Sequence, residues 1–423
     1  MDINQSRPSG LFRRSTTILI LGPLPPPYIG PAVATEMIME SELKTWFNLV
    51  HFDTSDHRSV THIGKLDFRN ISLATYHILK LPLYLIRHSP RIVYLPISQT
   101  VLGYFRDAIF ILLSKVLGAR VIIHLRGGYF RELYEKSTPF VKLVIRNSLK
   151  LVSRAIVLGK SLRYIFEGLV PSENIAVVPN GIDKNYITEA ELDYAPRTKH
   201  YALNPLNQSN SIPQLLNYPI TQLSGFKILF LSNLMLSKGF FDVIKSIPII
   251  IKNNIPSPLM GEGEGEGESY IQFIFAGEFH EDERVKKEVF DYINTQNLSH
   301  FIKFIGMVDK EKKKELLLSA DILVFPTYYR YEGQPWVIIE AMAAGLPIIA
   351  TNMGCIKEMV IDGENGFIIE KQNPEQIAQK IIQLLENTEL RKRMGQKSRE
   401  RFLKYYTKEK FIESLGEVLD GAV

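Results

Sequence analysis

What most constrains this 423-residue chain is a rhythm: short β-branched runs alternate with stretches of helical periodicity, stop, and then begin again. The first set covers residues 17–21, 47–52, 91–95, 120–124, 155–158 and 175–178; the second covers 227–231, 271–275, 302–305, 322–325, 347–350 and 366–369. Strand, helix, strand, repeated, reads as a parallel sheet with helices on its faces. Two sets mean two doubly wound α/β units, which also suits a length beyond what one hydrophobic core usually organises.

Between the sets, residues 194–225 are rich in Asn, Gln, Pro and Ser and carry no periodicity, as expected of a linker. The boundary is placed there, giving a front domain over 1–205, a back domain over 206–405 and a terminal helix over 406–423. A second interruption, 256–268, is a Gly-Glu repeat; it reads as an exposed insertion and is assigned no function.

Hydrophobic residues make up 45% and charged residues 22% of the chain, which excludes a disordered protein and an integral membrane protein. The most apolar stretch, 71–86, is broken by His77, Lys80 and Pro82 and is not a spanning helix. Residues 1–14 lack the apolar core and cleavage site of a secretory signal. The single cysteine, Cys355, cannot form an intramolecular disulfide, so a reducing cytoplasm is the expected compartment. Charge is uneven: residues 1–160 hold 21 Lys and Arg against 10 Asp and Glu, and the rest holds 29 against 35. A basic front can attract nucleic acid, anionic lipid or phosphorylated small molecules. Within it, Lys142, Arg146, Lys150 and Arg154 recur every four residues and fall on one stripe of a helix over 140–154, either a face for anionic lipid or a solvated outer face.

Four places carry chemistry. The loop 22–30 after the first strand is rich in Pro and Gly, but it is not the G-x-G-x-x-G of dinucleotide enzymes. His124 closes a strand and precedes Arg126, Gly127, Gly128 and Tyr129; at a strand's carboxyl end it either meets a substrate or caps the strand by bonding loop backbone. Lys238-Gly239 leads into a helix over 240–251, where an ammonium beside unpaired amides suits a diphosphate, although a surface lysine beside a turn glycine looks the same. The strongest signal is Glu332-Gly333-Gln334-Pro335-Trp336 running on to Glu340. Pro335 suits the first turn of a helix, so Glu332 lies in the loop and Glu340 inside the helix. Glu340 sits among apolar neighbours, where a buried carboxylate needs donors such as ribose hydroxyls. Glu332 and the amides of Gly333 to Trp336 are suited to sugar hydroxyls and phosphate oxygens.

In order and spacing, the loop after strand one, His124, 179–183 (Pro-Asn-Gly-Ile-Asp), Lys238-Gly239 and the Glu332/Glu340 pair resemble the family 4 retaining glycosyltransferases of GT-B fold. That resemblance implies two Rossmann-like domains facing across a cleft, with a C-terminal helix returning to the front domain. It implies a nucleotide-sugar donor, UDP- or GDP-sugar type, in the back domain and a glycan or lipid-linked acceptor at the front, in cell-envelope or exopolysaccharide synthesis. Carried over residue by residue, Glu340 binds the ribose and Lys238 with Gly239 the diphosphate. Glu332, Gly30 and the Gly333–Trp336 backbone hold the donor sugar, Met307 and Val308 border the base, and His124 contacts the sugar near the reacting carbon. Acceptor contacts fall to Tyr28, Arg126, Tyr129 and Arg131. The chain departs from the family at Asn233, where an arginine usually assists the diphosphate; Asn donates a hydrogen bond but brings no charge.

No Asp-x-Asp is present, so no metal is expected, nor any other cofactor; the resemblance implies that the anomeric configuration is retained. Partners are the donor and the acceptor, with peripheral contact to the inner face of an anionic membrane and no nucleic acid. Competing readings are a nucleotide-sugar epimerase of the same fold and a non-catalytic nucleotide-sugar-binding partner.

Overall fold

The computed structural model describes residues 16–26, 30–55, 68–193, 225–254 and 271–423. Its contacts divide the chain into two compact units, one reaching Asn180 and including Lys408–Val423, the other Gly181–Thr407. The expected linker 194–225, apart from Gly225, lies outside the described residues, as do 1–15, Tyr28 and the Gly-Glu repeat. The observed division falls earlier, at 180/181, because residues just past it are held by the second unit. Ile182 and Ile187 enter that unit's core, Arg399 donates to the Ile187 carbonyl at 3.0 Å, and Lys314 pairs with Glu191 at 2.6 Å.

In the first unit the strands are β1 (Thr17–Gly22), β2 (Asn48–Asp53), β3 (Ile92–Ile97), β4 (Arg120–Leu125), β5 (Val152–Val157) and β6 (Ile175–Val177). They form one parallel sheet in the order β2-β1-β3-β4-β5-β6, with Thr17 opposite Asn48 and Ile92 opposite Arg120. Its helices are α1 (Gly30–Met39), α2 (Leu43–Trp46), α3 (Phe68–His88), α4 (Val101–Val116), α5 (Phe130–Lys136) and α6 (Pro139–Leu149). Thr100 and Thr138 cap α4 and α6 by accepting from the Gly103 and Val141 amides, satisfying first-turn donors that otherwise lack partners. The 140–154 stripe is shorter than expected. The helix α6 ends at Leu149, and Arg154 lies on β5, where it donates to Asn174 and to the Glu173 carbonyl.

In the second unit α7 (Glu189–Asp193) precedes β7 (Phe226–Leu231), α8 (Phe240–Asn254), β8 (Ile271–Ala276), α9 (Glu283–Thr295), β9 (Ile302–Gly306) and α10 (Lys310–Ser319). These are followed by β10 (Ile322–Phe325), α11 (Trp336–Ala343), β11 (Ile348–Thr351), α12 (Ile356–Met359), β12 (Gly366–Ile369), α13 (Pro374–Glu386) and α14 (Thr388–Tyr405). The parallel sheet runs β12-β11-β10-β7-β8-β9, so strand order reverses between β10 and β7. Such a switch point opens a crevice at the carboxyl ends of the two strands, since their following loops leave in opposite directions.

A final helix, α15 (Lys408–Asp420), belongs to the first unit. Phe411, Ile412, Leu415 and Leu419 join Ile18, Ile20, Ile38 and Phe47 in one core. Arg120 donates to the Ala422 carbonyl at 2.7 Å and Arg91 to that of Val423. Both sheets thus match the twelve runs read from sequence, and the helix returns to the first unit as expected.

Candidate functional site

Three loops at the carboxyl end of the second sheet are tied together at the switch point. After β7 the backbone makes a single 3₁₀ turn, Leu236–Lys238, held where the Glu281 carboxylate accepts from the Leu236 amide at 2.6 Å. Gly239 follows at φ +82°, and a Cβ there would run into the Pro326 carbonyl oxygen, so only glycine lets the loop after β7 lie on the loop after β10. The Tyr328 amide then donates to the Ser237 carbonyl at 2.8 Å. From the third loop, after β11, the Cys355 amide donates to the Gly333 carbonyl at 2.7 Å and Thr351 Oγ1 to the Thr327 carbonyl.

The side chains converge accordingly. Lys238 Nζ pairs with Glu332 Oε2 at 2.6 Å, and Thr327 Oγ1 donates to the same oxygen at 3.1 Å. Lys238 also lies over the Tyr329 ring, 4.4 Å from its centroid. As its sequence neighbourhood suggested, Lys238-Gly239 leads directly into α8, which starts at Phe240, and Lys238 itself ends the 3₁₀ turn. Eight residues beyond Glu332, Glu340 is buried inside α11 and ion-paired with Lys313 of α10. Tyr186 feels the Glu340 charge as well. Its hydroxyl is buried with no hydrogen-bond partner among the described residues, and burial, followed by Glu340 and Glu311, pushes its pKa up. The helix α11 begins at Trp336 with Pro335 as its N-cap, one residue later than expected, and the Pro335 side chain provides no cap bond to its first turn. Gly333, Gln334 and Pro335 are buried and Trp336 is partly buried. Asn233 is exposed, with its carbonyl accepting from the Met235 amide at 2.9 Å. Met307 is exposed after β9, while Val308 packs on the core.

In the first unit two of the sequence-selected residues, His124 and Arg126, are brought together through Tyr94. His124 is fully buried, and its Nδ1 lies 2.7 Å from Tyr94 Oη. Arg126 donates to the same Oη at 3.0 Å and to Asn180 Oδ1 at 2.6 Å, and stacks 5.4 Å from the Phe411 ring centroid. A guanidinium only donates, so Tyr94 accepts from Arg126 and gives its own proton to the bond with His124 Nδ1. That leaves His124 as the tautomer with its proton on Nε2, a buried atom with no partner among the described residues. Burial first, then the Arg126 charge, holds its pKa well below the ordinary imidazole value, so the ring is neutral. Burial likewise raises the Tyr94 phenol, keeping its proton in place. Of the other residues, the Tyr129 amide donates to Gln99 Oε1 at 2.7 Å. Arg131 is held by Glu135 at 2.7 Å and by the Glu167 carbonyl at 2.7 Å. Gly30 opens α1, and Tyr28 lies outside the described residues. Sequence reasoning missed Lys313, Thr327, Tyr186 and Tyr94; of these, only the buried Glu340 in need of a donor hinted at a partner such as Lys313.

Residues 221–401 match the family model described as glycosyl transferases group 1. An uncharacterized glycosyltransferase of Methanocaldococcus jannaschii is 35% identical over 139 residues, 33% of this chain and 38% of that protein. The capsular polysaccharide biosynthesis glycosyltransferase CapM of Staphylococcus aureus is 29% identical over 180 residues, 42% of this chain and 41% of that one. The chain therefore spans less than half the length of these curated relatives. Among solved structures, Anabaena HepE in complex with UDP-glucose superposes with a TM-score of 0.64 at 16% identity, covering 96% of this chain and 99% of that one. Together these likenesses show a protein of GT-B fold whose residues 221–401 are similar to the group 1 glycosyl transferases.

Proposed function

We propose that this protein is a metal-independent glycosyltransferase, moving a hexosyl group from a UDP- or GDP-sugar to a glycan or lipid-linked acceptor in envelope or extracellular polysaccharide synthesis, with retention. One observation carries the reading: Lys238, Thr327 and Glu332 gather on loops at the switch point of the second sheet, and the Glu332 loop runs on into α11, which holds Glu340. The HepE complex with UDP-glucose and the CapM relative support the donor class and the pathway class.

In this reading the donor's diphosphate takes Lys238 from Glu332, an exchange of one carboxylate partner for another anion. The first turn of α11 receives the remaining phosphate charge, as oriented amides stabilise a departing anion without reorganising. Glu332, released, binds sugar hydroxyls, and Glu340 takes the ribose hydroxyls beside Tyr186, with Met307 and Val308 at the base. His124 contributes its Nε2–H to the donor sugar, and Tyr129 and Arg126 line the acceptor side. With Glu340 committed to ribose, no second carboxylate is assigned as a nucleophile. The leaving phosphate therefore accepts the acceptor's proton on the same face from which it departs. An exposed, uncharged Asn233 favours a second reading, a nucleotide-sugar-binding partner without turnover.

A thermal-shift screen of UDP- and GDP-sugars tests the donor. At about a hundred times Kd the expected stabilisation is about 2.7 kcal/mol. Transfer to lipid-extract acceptors, followed by NMR of the product's anomeric proton, then separates the readings. Binding without transfer selects the partner reading, an inverted anomer removes the same-face route, and no stabilisation by any nucleotide-sugar removes the donor site.

A further inference from the structure

Of the 17 large hydrophobic side chains exposed among the described residues, 13 lie on or at the ends of α3, α4 and α6 of the first unit. On α3, Phe68 is 86% exposed, Leu79 70%, Leu83 66% and Ile86 65%. At about 100° per residue these four fall within an arc of roughly 60°, opposite the buried Leu81 and Leu85. The neighbouring helices continue the surface. Leu112 and Val116 stand out from α4, which packs beside α3, and Phe140 of α6 stacks on Phe105 of α4 with centroids 6.1 Å apart.

Charge distinguishes this face from a solvated outer layer. The three helices carry seven Lys and Arg and one carboxylate, Asp107, which is fully buried against Arg106 at 2.7 Å. Outer helices of the second unit mix signs instead, as in the Lys312–Glu315 pair of α10 and the Lys397–Glu400 pair of α14. On α3 the exposed Arg69 and Arg87 lie along one edge of the apolar arc, and on α6 Arg146 shares the exposed face of Leu143. Apolar centre, basic rim and no exposed acid is the pattern of a helix lying in a bilayer interface. No described helix is long and apolar enough to cross a membrane.

We infer that the α3–α4–α6 face of the first unit docks on the surface of an anionic bilayer, with Phe68, Leu79, Leu83 and Ile86 entering the headgroup boundary and the arginines meeting lipid phosphates. A second copy fits less well, because a two-fold contact would bring two basic, acid-free surfaces together. A nucleic acid would leave the apolar arc unused. This inference stands apart from the donor-site reading, and its test uses neither donor nor acceptor.

The full chain is floated with vesicles of equimolar phosphatidylglycerol and phosphatidylcholine, and with phosphatidylcholine alone. Binding to the anionic vesicles only is expected. Arg69→Gln and Arg87→Gln should each weaken it about five-fold, and Leu79→Gln with Leu83→Gln about ten-fold or more; all four side chains are exposed, and circular dichroism checks the fold. Lys287→Gln in the second unit should change nothing. No flotation, or equal flotation on neutral vesicles, overturns the inference. So does binding that follows the arginines but ignores the leucines, as an RNA site would. Self-association in sedimentation velocity that the leucine variants abolish, without vesicle binding, assigns the face to a second copy instead.

Discussion

The two glutamates that open and close the 332–340 segment are held in different ways, and their variants should separate. Glu332 shares Lys238 and Thr327 at 2.6 and 3.1 Å, all three on loops that meet a ligand directly in the proposed site. Glu340 is fixed inside a helix against Lys313. Glu340→Ala should therefore raise Kd for UDP, in calorimetry, by about ten-fold or more, since hydrogen bonds to a charged group are worth roughly 1.5–3 kcal/mol. Glu332→Ala should leave UDP affinity within a few-fold and lower turnover of the UDP-sugar. A reversal of these two effects would reassign the roles. His124 depends on a residue that never meets the ligand in this scheme. In Tyr94→Phe the imidazole loses the donor that fixes its tautomer, so the ¹⁵N shifts of His124 should move from a pure Nε2–H form to a mixture. Turnover should fall about ten-fold, corresponding to one lost hydrogen bond of roughly 1–3 kcal/mol. Both glutamates were legible in the sequence, one from a proline that sets a helix start and the other from a carboxylate among apolar neighbours. Their partners were not, because Lys313 and Tyr94 come from elements 27 and 30 residues away from Glu340 and His124, and only the folded sheet brings them together.

At the scale of elements, every β-branched run became a strand, because a parallel strand is buried on both faces and its composition is set by that burial. Ends were less legible. Periodicity carried the 140–154 stripe past Leu149, but the chain leaves the helix there to begin β5, and the four-residue spacing of Arg154 was coincidence. The start of α8 at Phe240 was legible, but neither the 3₁₀ turn at Lys238 nor the left-handed Gly239 before it has a periodicity to detect. That glycine gives an element-scale prediction. Gly239→Ala adds backbone strain and drives a methyl into the Pro326 carbonyl, so it should destabilise the second unit by roughly 1–3 kcal/mol and weaken UDP binding through Lys238. At Gly306, φ +75°, a methyl would meet nothing within 4 Å, so Gly306→Ala should cost only the strain, about 1 kcal/mol, and spare UDP affinity. Equal losses of UDP binding in the two variants would show that loop contact is not what positions Lys238.

The two units meet different physical stresses, and the whole chain should show it. His77 on α3 and His124 on β4 both belong to the first unit, and both are buried. Burial, then the nearby Arg106, lowers the His77 pKa to about 4, although Asp53 pulls the other way. The His77 ring packs edge-on to Phe52, their centroids 5.8 Å apart, and its Nδ1 has no partner among the described residues. Its folded pKa is thus below its unfolded value near 6.5, so between those values the unfolded state binds more protons and stability rises with pH. The contribution is fully present above about pH 6.5 and is lost as pH falls toward 4, amounting to about 2 kcal/mol between pH 7 and 5. His124, depressed further, acts in the same direction. The proposed nucleotide contacts belong to the second unit, Gly181–Thr407, and stabilise only the unit that holds them. Hydrogen exchange read by mass spectrometry resolves the two. Going from pH 7 to 5, after correction for intrinsic exchange, should speed opening of β2, β3, α3 and α4 most, and His77→Leu should blunt that change. Adding UDP at pH 7 should instead slow exchange in β7, β10 and α11 while leaving β2 and α3 unchanged. Uniform loss of protection across both units at pH 5, persisting in His77→Leu, would mean that general carboxylate protonation and not the buried histidines sets the acid limit of the fold.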